Sequence, residues 1–412
     1  MTSLLPALPD FLPRQRFGVT EYPVHHVRGG TSTGLVLHAR AVPPDPLLRD
    51  ELLRHLMGVP LAGRQPGNRQ VTGLGRGTPT SNKVFLLDVE QHEGRPRLVS
   101  TLAQLAGEHG GIDWSVNCGN MSSSLQLWGL DSGVIEALAI GTHEVDIRNT
   151  NTGVVTTSRM TRLEDGSFAA AAIPGVAGSF PAVDLFLHHP VGSKTGQLLP
   201  TGAASNMVAG HTVSCVDVAV PMVIALASEF GKTAQESIAE LEADAAFMQA
   251  IRRVWSEAGL LMGLKKRDGA LLSLAELECS EPIPKFCIVG PAAAGGNIAV
   301  RYFTPQSGHA SLAVSGGCCL AAACLIPGTV AHGVAQGMSV VGTEYDYHAV
   351  GIDNPAGRLD TTIVARQRQD SMGMTLGILS AAYRRSTQIL LRGHMPLYQA
   401  STELAAWLAA RK

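Results

Sequence analysis

Short apolar segments alternate with Gly, Asn and Asp along most of the chain, and this pattern predicts β-strands that are joined by turns. Few of the connections have the length and periodicity of a helix, so the spacing favours a β-rich meander over a series of β-α-β units. The predicted strands cover residues 34–38, 83–88, 134–138, 145–148, 286–289 and 297–302.

Four segments have the apolar periodicity of a helix. The longest covers residues 233–259, where Thr233, Ser237 and the acidic residues that follow them favour a helix N-terminus. The other three cover residues 47–57, 372–384 and 401–408. Together with the strands, these helices indicate an α+β protein.

Two glycine turns of similar construction lie roughly half a chain apart. Residues 117–122 (Asn-Cys-Gly-Asn-Met-Ser) and residues 313–319 (Ala-Val-Ser-Gly-Gly-Cys-Cys) both lead into small and apolar runs. Each predicts the N-terminus of a buried helix, where unpaired backbone N–H groups and a partial positive charge bind a carboxylate or an oxyanion. The same field favours the thiolate form of Cys118. The repetition indicates two similar halves with an acidic substrate between them.

The length of the chain indicates two domains. A chain of 412 residues is too long for one ordinary core and long enough for two domains of about 200 residues. A stretch rich in Gly and Pro at 174–200 marks the junction, which we place near residue 185. The expected domains are 1–185 and 186–412, with the extreme C-terminus as a segment that could pack back on the first domain.

The composition excludes several classes of protein. Hydrophobic residues make up 45% of the chain and charged residues 16%, which argues against a disordered or coiled-coil protein. The formal net charge is −2 without a Lys/Arg-rich block, so nucleic acid is not an expected partner. We find no secretion signal and no membrane span. Seven sparse cysteines fit a reduced, cytoplasmic protein, and we interpret Cys215, Cys287, Cys318, Cys319 and Cys324 as packing residues.

The first candidate ligand site is the loop Arg28-Gly29-Gly30-Thr31-Ser32. Its glycines let backbone amides approach a ligand closely, and Thr31 and Ser32 add hydroxyl groups. Arg28 has the geometry to pair with a carboxylate through two hydrogen bonds. The alternative is a glycine hairpin with an exposed arginine, and the local sequence does not decide between the two.

Lys83 opens a predicted strand shortly after a glycine loop at 73–78. That loop lacks the G-x-G-x-x-G spacing of a dinucleotide site. A lysine at the start of a strand usually faces solvent, but partial burial beside the turn at 117–122 would let it act as a base near neutral pH. Cys118 is either an inert loop thiol or a functional one, and the tight turn around it favours a function.

In the second half, His309 lies a few residues before the turn Ser315-Gly316-Gly317, so we consider it a candidate substrate contact. The chain has no C-x-x-C or H-x-x-x-H spacing, and its adjacent histidine pairs point to opposite sides of a strand. No metal site is therefore expected. A Walker loop and a G-x-S-x-G elbow between a strand and a helix are also missing, and we expect no cofactor.

Seven short segments stand in order along the chain, at 28–32, 80–84, 117–120, 149–153, 199–202, 313–316 and 326–330. Taken together, they resemble the PrpF family, and the resemblance covers nearly the whole chain. That family includes methylaconitate cis-trans isomerases, aconitate and methylitaconate Δ-isomerases, and oxalomesaconate tautomerases. Each segment alone is a weak match, whereas the ordered set is specific for the family but not for one member.

The resemblance implies the diaminopimelate-epimerase-like fold. That fold has two similar α+β domains, each a curled and mainly antiparallel sheet around a central helix, with the active site in the cleft. In the related epimerases, cysteines at the N-termini of both central helices act as acid and base. Here the second position falls at about Val314 or Ser315, which disfavours a racemase with two thiols.

In the isomerases of the family, a lysine and a cysteine that match Lys83 and Cys118 are implicated in proton transfer. This sequence departs from the family pattern at two positions near them. Thr33 stands where a lysine is common, and Asn82 interrupts the usual Thr-Ser-Lys. The loop before His309 also lacks an expected basic residue. Each change alters a carboxylate partner, so the substrate need not be one of the best-known acids.

The resemblance therefore implies a cofactor-independent isomerase of small unsaturated di- or tricarboxylic acids. Lys83 would remove an allylic proton, Cys118 would act as the opposing acid/base or bind a carboxylate, and the two helix ends would hold the dienolate. The alternatives are an oxalomesaconate-type keto–enol tautomerase, a racemase or epimerase, and a carboxylate-binding protein without activity. The oligomeric state stays open, with a homodimer as one alternative. The expected substrate-binding residues are Arg28, Gly29, Gly30, Thr31, Ser32, Asn117, Gly119, Asn120, Met121, Ser122, His309, Ser315, Gly316 and Gly317.

Overall fold

The structure, a computed structural model, describes residues 11–77, 81–136, 139–266, 268–280, 283–304, 306–370 and 373–411. The chain forms two compact units. Unit 1 consists of Met1–Ala172, Val176–Leu185 and Arg385–Lys412, and unit 2 consists of Ile173–Gly175 and Phe186–Arg384. Apart from the short segment Ile173–Gly175, the chain passes from unit 1 to unit 2 after Leu185. It returns to unit 1 at residue 385, so the last 28 residues, 385–412, belong with the first half.

The first half of the chain contains ten strands and three helices within its described residues. The strands are β1 Arg14–Arg16, β2 Val19–Gly29, β3 Ser32–His38, β4 Lys83–His92, β5 Arg95–Leu105, β6 Ile112–Asp113, β7 Gly141–Asn149, β8 Val155–Arg162, β9 Ala170–Ile173 and β10 Val176–His188. The helices are α1 Pro46–Met57, α2 Gly119–Ser122 and α3 Leu125–Asp131.

The second half contains nine further strands and six helices within its described residues. The strands are β11 Asn206–Val208, β12 His211–Val218, β13 Val220–Leu226, β14 Lys285–Gly290, β15 Ile298–Thr304, β16 Ser307–Gly308, β17 Asp346–Asn354, β18 Gly357–Asp370 and β19 Gly373–Pro396. The helices are α4 Ile238–Ala243, α5 Ala245–Leu261, α6 Leu274–Glu278, α7 Val314–Leu325, α8 Val330–Val334 and α9 Thr402–Ala409.

The two units repeat one order of strand pairing. In unit 1, β2–β3 is antiparallel, β3–β4 parallel, β4–β5 antiparallel, β5–β7 parallel and β7–β8 antiparallel. In unit 2, β12–β13, β13–β14, β14–β15, β15–β17 and β17–β18 follow the same alternation. Each unit also carries helices between its second and third main strands and again before its fifth. The duplicated α+β architecture expected from the two glycine turns is therefore confirmed.

In unit 1, helix α1 covers one face of the sheet. Asp45 caps its start by accepting hydrogen bonds from two backbone N–H groups, Pro46 occupies the first turn, and Gly58 ends it in the left-handed conformation. The apolar side of α1 packs against alternate residues of β3 and β4, such as Leu35 and Val84. Since successive side chains of a strand point to opposite faces, Lys83 points away from α1.

In unit 2, the corresponding layer is α5. Phe247, Ile251 and Trp255 on α5 pack against Phe286 of β14 and Phe303 of β15. The helix predicted at 233–259 is divided, because Asp244 ends α4 and caps the start of α5. Helix α7 carries ten buried residues in its twelve and is apolar on all sides, as expected for a helix enclosed within a fold.

Two predicted elements are wrong. Residues 373–384, expected as a helix, belong to β19, which pairs with β18 along that whole stretch. Leu, Met and Ala favour a helix locally, but a long strand partner overrides that preference. In the predicted strand at 134–138, residues 134–136 belong to no strand or helix, and 137–138 lie outside the described residues. The helices predicted at 47–57 and 401–408 are confirmed as α1 and α9.

No helix among the described residues is long and apolar enough to cross a membrane.

Candidate active site

The glycine loop between β2 and β3 packs directly against α2. A Cβ on Gly29 would overlap the main chain of Asn120 and Met121, and Gly30 has a positive φ of 55°. Gly34 contacts both the carbonyl oxygen of Lys83 and the end of the Met121 side chain. Because these glycines have no side chains, the loop, the start of α2 and the start of β4 can lie in direct contact.

Cys118 is the N-cap residue of α2 and has an extended backbone. Its N–H donates to Oδ1 of Asn117 at 2.7 Å, and its carbonyl accepts the N–H and the hydroxyl of Ser122, both at 2.9 Å. The thiol makes no capping hydrogen bond and is half-buried. The single buried helix expected after Cys118 is wrong, since α2 has four residues and α3 follows after a short turn.

Lys83 is 7% exposed at the start of β4, opposite Gln104 of β5. Burial lowers the pKa of the Lys83 amine from its ordinary 10.5, because desolvation penalises the ammonium form. The charge of a Cys118 thiolate acts on the same group in the opposite direction, so the two side chains interact electrostatically. A structure that brings a buried lysine amine and a half-buried thiol together can exchange protons with one ligand.

The residues before Lys83 form a buried amide network that the sequence analysis missed. Nε2 of Gln70 donates to Oδ1 of Asn82 at 2.9 Å and to the carbonyl of Met57 at 2.8 Å, and Oε1 of Gln70 accepts the N–H of Gly77 at 2.6 Å. A Cβ on Gly75 would overlap the Gln70 amide. The glycine loop at 73–77 therefore wraps a glutamine side chain, and no local sequence signal indicated that partner.

Arg28 is buried, so the alternative of an exposed arginine in a hairpin is wrong. Its Nη1 donates to the carbonyl of Gly30 at 2.9 Å and to both the carbonyl and the hydroxyl of Ser386, at 3.1 and 3.2 Å. Its guanidinium lies 4.6 Å from the ring centre of Phe180. Arg28 points to the face of β2 opposite Gly29. Its direct contact with a carboxylate stays a prediction, whereas its contacts here hold the loop to β19.

A second arginine, which the sequence analysis did not select, reaches the start of α2. Nε of Arg385 donates to Oδ1 of Asn120 at 2.9 Å, and Nδ2 of Asn120 donates to the hydroxyl of Thr31 at 3.2 Å. Arg385 is buried and Thr31 is exposed. Unit 1 therefore brings Gly29, Gly30 and Thr31 into contact with Asn120, and Cys118 and Lys83 stand at the adjoining starts of α2 and β4. Ser32 and Met121 are buried.

Within unit 2, α7 begins at Val314 after Ala313, which offers no capping side chain. Gly316 packs on the ring of Tyr302, and the His309 ring lies 5.8 Å from that same ring. Nδ1 of His309 accepts the N–H of Ser311 at 3.0 Å, and burial lowers the pKa of His309 below its ordinary 6.5. The histidine is thus neutral near pH 7, with its proton on Nε2. Gly317 is buried, and Ser315 is half-buried.

The cysteines interpreted as packing residues are buried, as predicted. Burial raises the pKa of Cys215 and of Cys324 to about 12, and it raises the pKa of Cys287 and Cys319 as well. Among the described residues, no three His, Cys, Asp or Glu side chains are grouped closely enough to hold a metal ion.

Comparison with known proteins gives three consistent matches. A family model described as PrpF protein matches residues 19–398. The chain is 31% identical over 377 residues to YbhH of Escherichia coli strain K12, whose name calls it an isomerase provisionally, and the match covers 90% of this chain and 97% of that protein. It is also 31% identical over 350 residues to the 4-oxalomesaconate tautomerase of Pseudomonas putida, covering 84% and 90%.

The crystal structure of a methylitaconate-delta-isomerase superposes with a TM-score of 0.74 at 23% identity, covering 92% of this chain and 95% of that one. That likeness confirms the expected diaminopimelate-epimerase-like fold. The family model matches most of the chain, and the two relatives are matched over 97% and 90% of their length. These matches identify the family as well as the fold. This chain belongs to the PrpF family.

Proposed function

We propose that the protein is a cofactor-independent isomerase that moves an allylic proton within small unsaturated di- or tricarboxylic acids. The observation that carries this proposal is the placement of Lys83 and Cys118 on adjoining elements, because Gly34 packs against both Lys83 and Met121 of the helix that Cys118 caps. A buried amine with a lowered pKa and a half-buried thiol at a helix start are suited to remove and return a proton. The relative named a tautomerase and the solved structure named a delta-isomerase support the same class of chemistry.

In the proposed reaction, the neutral Lys83 amine removes the proton from the carbon next to the double bond. The electron pair of that C–H bond enters the conjugated system, which becomes a dienolate. The Cys118 thiol then donates its proton to a different carbon, and the double bond ends in a new position. Rotation in the delocalised intermediate would instead exchange cis and trans. Proton transfer from the Lys83 ammonium to the Cys118 thiolate, directly or through water, restores the starting forms.

The dienolate carries one more negative charge than a substrate that is already an anion, so its stabilisation is the main energetic demand. The first backbone N–H groups of α2 have no partner within the helix, and the side-chain amide of Asn120 in the same turn donates to the exposed Thr31 hydroxyl. A preorganised donor of this kind lowers a barrier by about 3 kcal/mol, and a positioned acid or base contributes roughly a further 10²–10⁴-fold.

The test is proton NMR of purified protein in D₂O with cis- and trans-aconitate, methylaconitate, methylitaconate and oxalomesaconate. We expect deuterium to enter the allylic position of at least one acid, with or without net conversion. Lys83→Ala and Cys118→Ala should each reduce that exchange by at least a hundredfold. Lys266→Ala, which removes a lysine that forms a surface ion pair with Glu276, is the matched control and should exchange normally.

Two outcomes would contradict the proposal. Absence of exchange with every acid of the panel would reject the isomerase and leave a carboxylate-binding protein, which thermal stabilisation by aconitate would reveal. Full exchange by Lys83→Ala would leave the enzyme class standing and reject Lys83 as the base.

Keto–enol tautomerisation of oxalomesaconate is the second candidate, because a relative of 31% identity carries that activity in its name. The same Lys83–Cys118 pair would serve, with the proton passing between carbon and the enol oxygen. Conversion of oxalomesaconate, followed by its ultraviolet absorbance, without exchange into the other acids would favour this reaction over allylic migration.

A further inference from the structure

We propose that Arg385 is a positioning residue of the proposed isomerase, acting through the side-chain amide of Asn120. The inference rests on the proposed function and deepens it. Arg385 belongs to the segment of β19 that returns to unit 1, and its side chain lies against Gly30 of the glycine loop.

The hydrogen bonds fix the orientation of the amide. A guanidinium can only donate, so the atom of Asn120 that faces Nε of Arg385, at 2.9 Å, must be the carbonyl oxygen. The opposite atom, Nδ2, therefore faces the exposed Thr31 hydroxyl at 3.2 Å. In this arrangement, Asn120 presents a donor rather than an acceptor toward the exposed Thr31 hydroxyl.

Packing restricts the same amide. A Cβ on Gly30 would approach Oδ1 of Asn120 to 2.5 Å and Cδ of Arg385 to 3.1 Å, so the pair lies directly against the loop and has no room to move toward it. The N–H of Gly30 donates to the carbonyl of Ser386 at 3.0 Å, which ties the neighbouring residue of β19 to the loop as well. Two neighbouring residues of β19 therefore contact the loop, Arg385 through its side chain and Ser386 through its carbonyl.

The electrostatic consequence concerns an anionic ligand. A charge-assisted hydrogen bond to Oδ1 draws electron density from the amide and makes its N–H groups better donors to a carboxylate or a dienolate. Without the guanidinium, the amide is free to turn its oxygen toward the anion, which would repel it. Since hydrogen bonds to charged groups contribute roughly 1.5–3 kcal/mol, we expect Arg385→Gln to lower kcat/KM by about 10- to 100-fold, mainly through KM.

A double-mutant cycle tests whether the effect passes through Asn120. The kcat/KM values of wild type, Arg385→Gln, Asn120→Ala and the double variant are compared on the acid that exchanges fastest. If Arg385 acts by orienting Asn120, the double variant will be no slower than Asn120→Ala alone. Losses that multiply would overturn the proposal, because a purely structural role of Arg385 would weaken both backgrounds equally.

Arg392→Gln is the matched control. Arg392 lies on the same strand, pairs with Asp131 on the surface and is 60% exposed, so its loss should leave KM unchanged. Arg385→Lys keeps the charge but loses the planar group and should recover part of the affinity. An equal rise in KM for Arg392→Gln would contradict a specific role for Arg385.

A second readout does not depend on turnover. In protein labelled with ¹⁵N-asparagine, the side-chain amide signals of Asn120 are identified by their loss in Asn120→Ala. They should shift or double in Arg385→Gln and stay unchanged in Arg392→Gln. If the wild-type protein isomerised none of the acids, the proposed function would fail, and unchanged Asn120 signals in Arg385→Gln would separately overturn the positioning.

Discussion

Arg28 and Ser386 are joined by two hydrogen bonds, one to the carbonyl and one to the hydroxyl of Ser386, at 3.1 and 3.2 Å. Ser386 also accepts the N–H of Gly30 through the same carbonyl. The glycine loop, which carries the exposed hydroxyl of Thr31, is therefore held by residues from both ends of the sequence. An arginine that the sequence places among ligand contacts supports the loop from its buried side.

We expect Arg28→Met to lower the free energy of unfolding by about 2–3 kcal/mol, because it leaves buried carbonyl groups of Gly30 and Ser386 without their charged donor. Urea denaturation measures this change. Arg392→Met, which removes an exposed ion pair, is the control and should cost less than about 1 kcal/mol. Equal losses of unfolding free energy in the two variants would show that the hydrogen bonds of Arg28 stabilise the protein no more than an exposed ion pair does.

Gly34→Ala should disturb the start of β4. The added Cβ would overlap the carbonyl oxygen of Lys83, so the pairing of β3 with β4 must shift and displace the proposed base. Overpacking of this kind costs about 1–3 kcal/mol, and we expect at least a tenfold loss of deuterium exchange. Gly393→Ala, where no atom lies within 4 Å of the new Cβ, should change neither quantity. Normal exchange by Gly34→Ala would argue against a precise placement of Lys83.

The rate should increase with pH through the titration of Lys83. The amine must be neutral to accept a proton, and its neutral fraction grows as the pH rises through its pKa. Since burial lowers that pKa below 10.5, the midpoint of the rising limb of kcat/KM should lie below 10.5. A pH profile of exchange measures it, with intrinsic fluorescence as the control for unfolding. A flat profile, or a midpoint at 10.5 or above, would contradict a buried basic lysine.

Thiol labelling should distinguish Cys118 from the packing cysteines. Cys279 is exposed, Cys118 is half-buried, and the other five cysteines are buried. A thiol reagent should therefore modify two residues in the native protein and the rest after denaturation. In Cys279→Ser, loss of exchange activity with iodoacetamide should match the modification of Cys118, and a bound tricarboxylate should slow both. Inactivation without labelling of Cys118 would remove the thiol from the proposed reaction.

Local sequence patterns correctly predicted those helices and strands whose signals come from residues adjacent in the chain. Helix α1 has its cap, its proline and its apolar side within one segment, and the strand that opens with Lys83 follows from a short apolar run. Residues 373–384 could not be assigned in this way, since their conformation depends on a partner strand, β18.

The candidate site shows the same division. The turn around Cys118 and the glycine loop are visible in sequence, because each carries its signal in a few adjacent residues. Arg385 reaches Asn120 across 265 positions, and the Gln70–Asn82 amide pair gives no periodic signal. The burial of Arg28 could have been predicted in part from the sequence. Arg28 is an even number of positions from Tyr22 and Val24 on β2, so its side chain lies on the same face as these two core residues.

The return of residues 385–412 to unit 1 also orders events during synthesis. All residues of unit 2 leave the ribosome before the last segment of unit 1, and domains generally fold as their residues become available. Until the end of β19 emerges, the glycine loop lacks Ser386 and Asn120 lacks Arg385. Until the start of α9 emerges, α1 lacks the contact of its Glu51 with Ser401. A nascent chain therefore completes the candidate site of unit 1 last, although most of that unit is translated first.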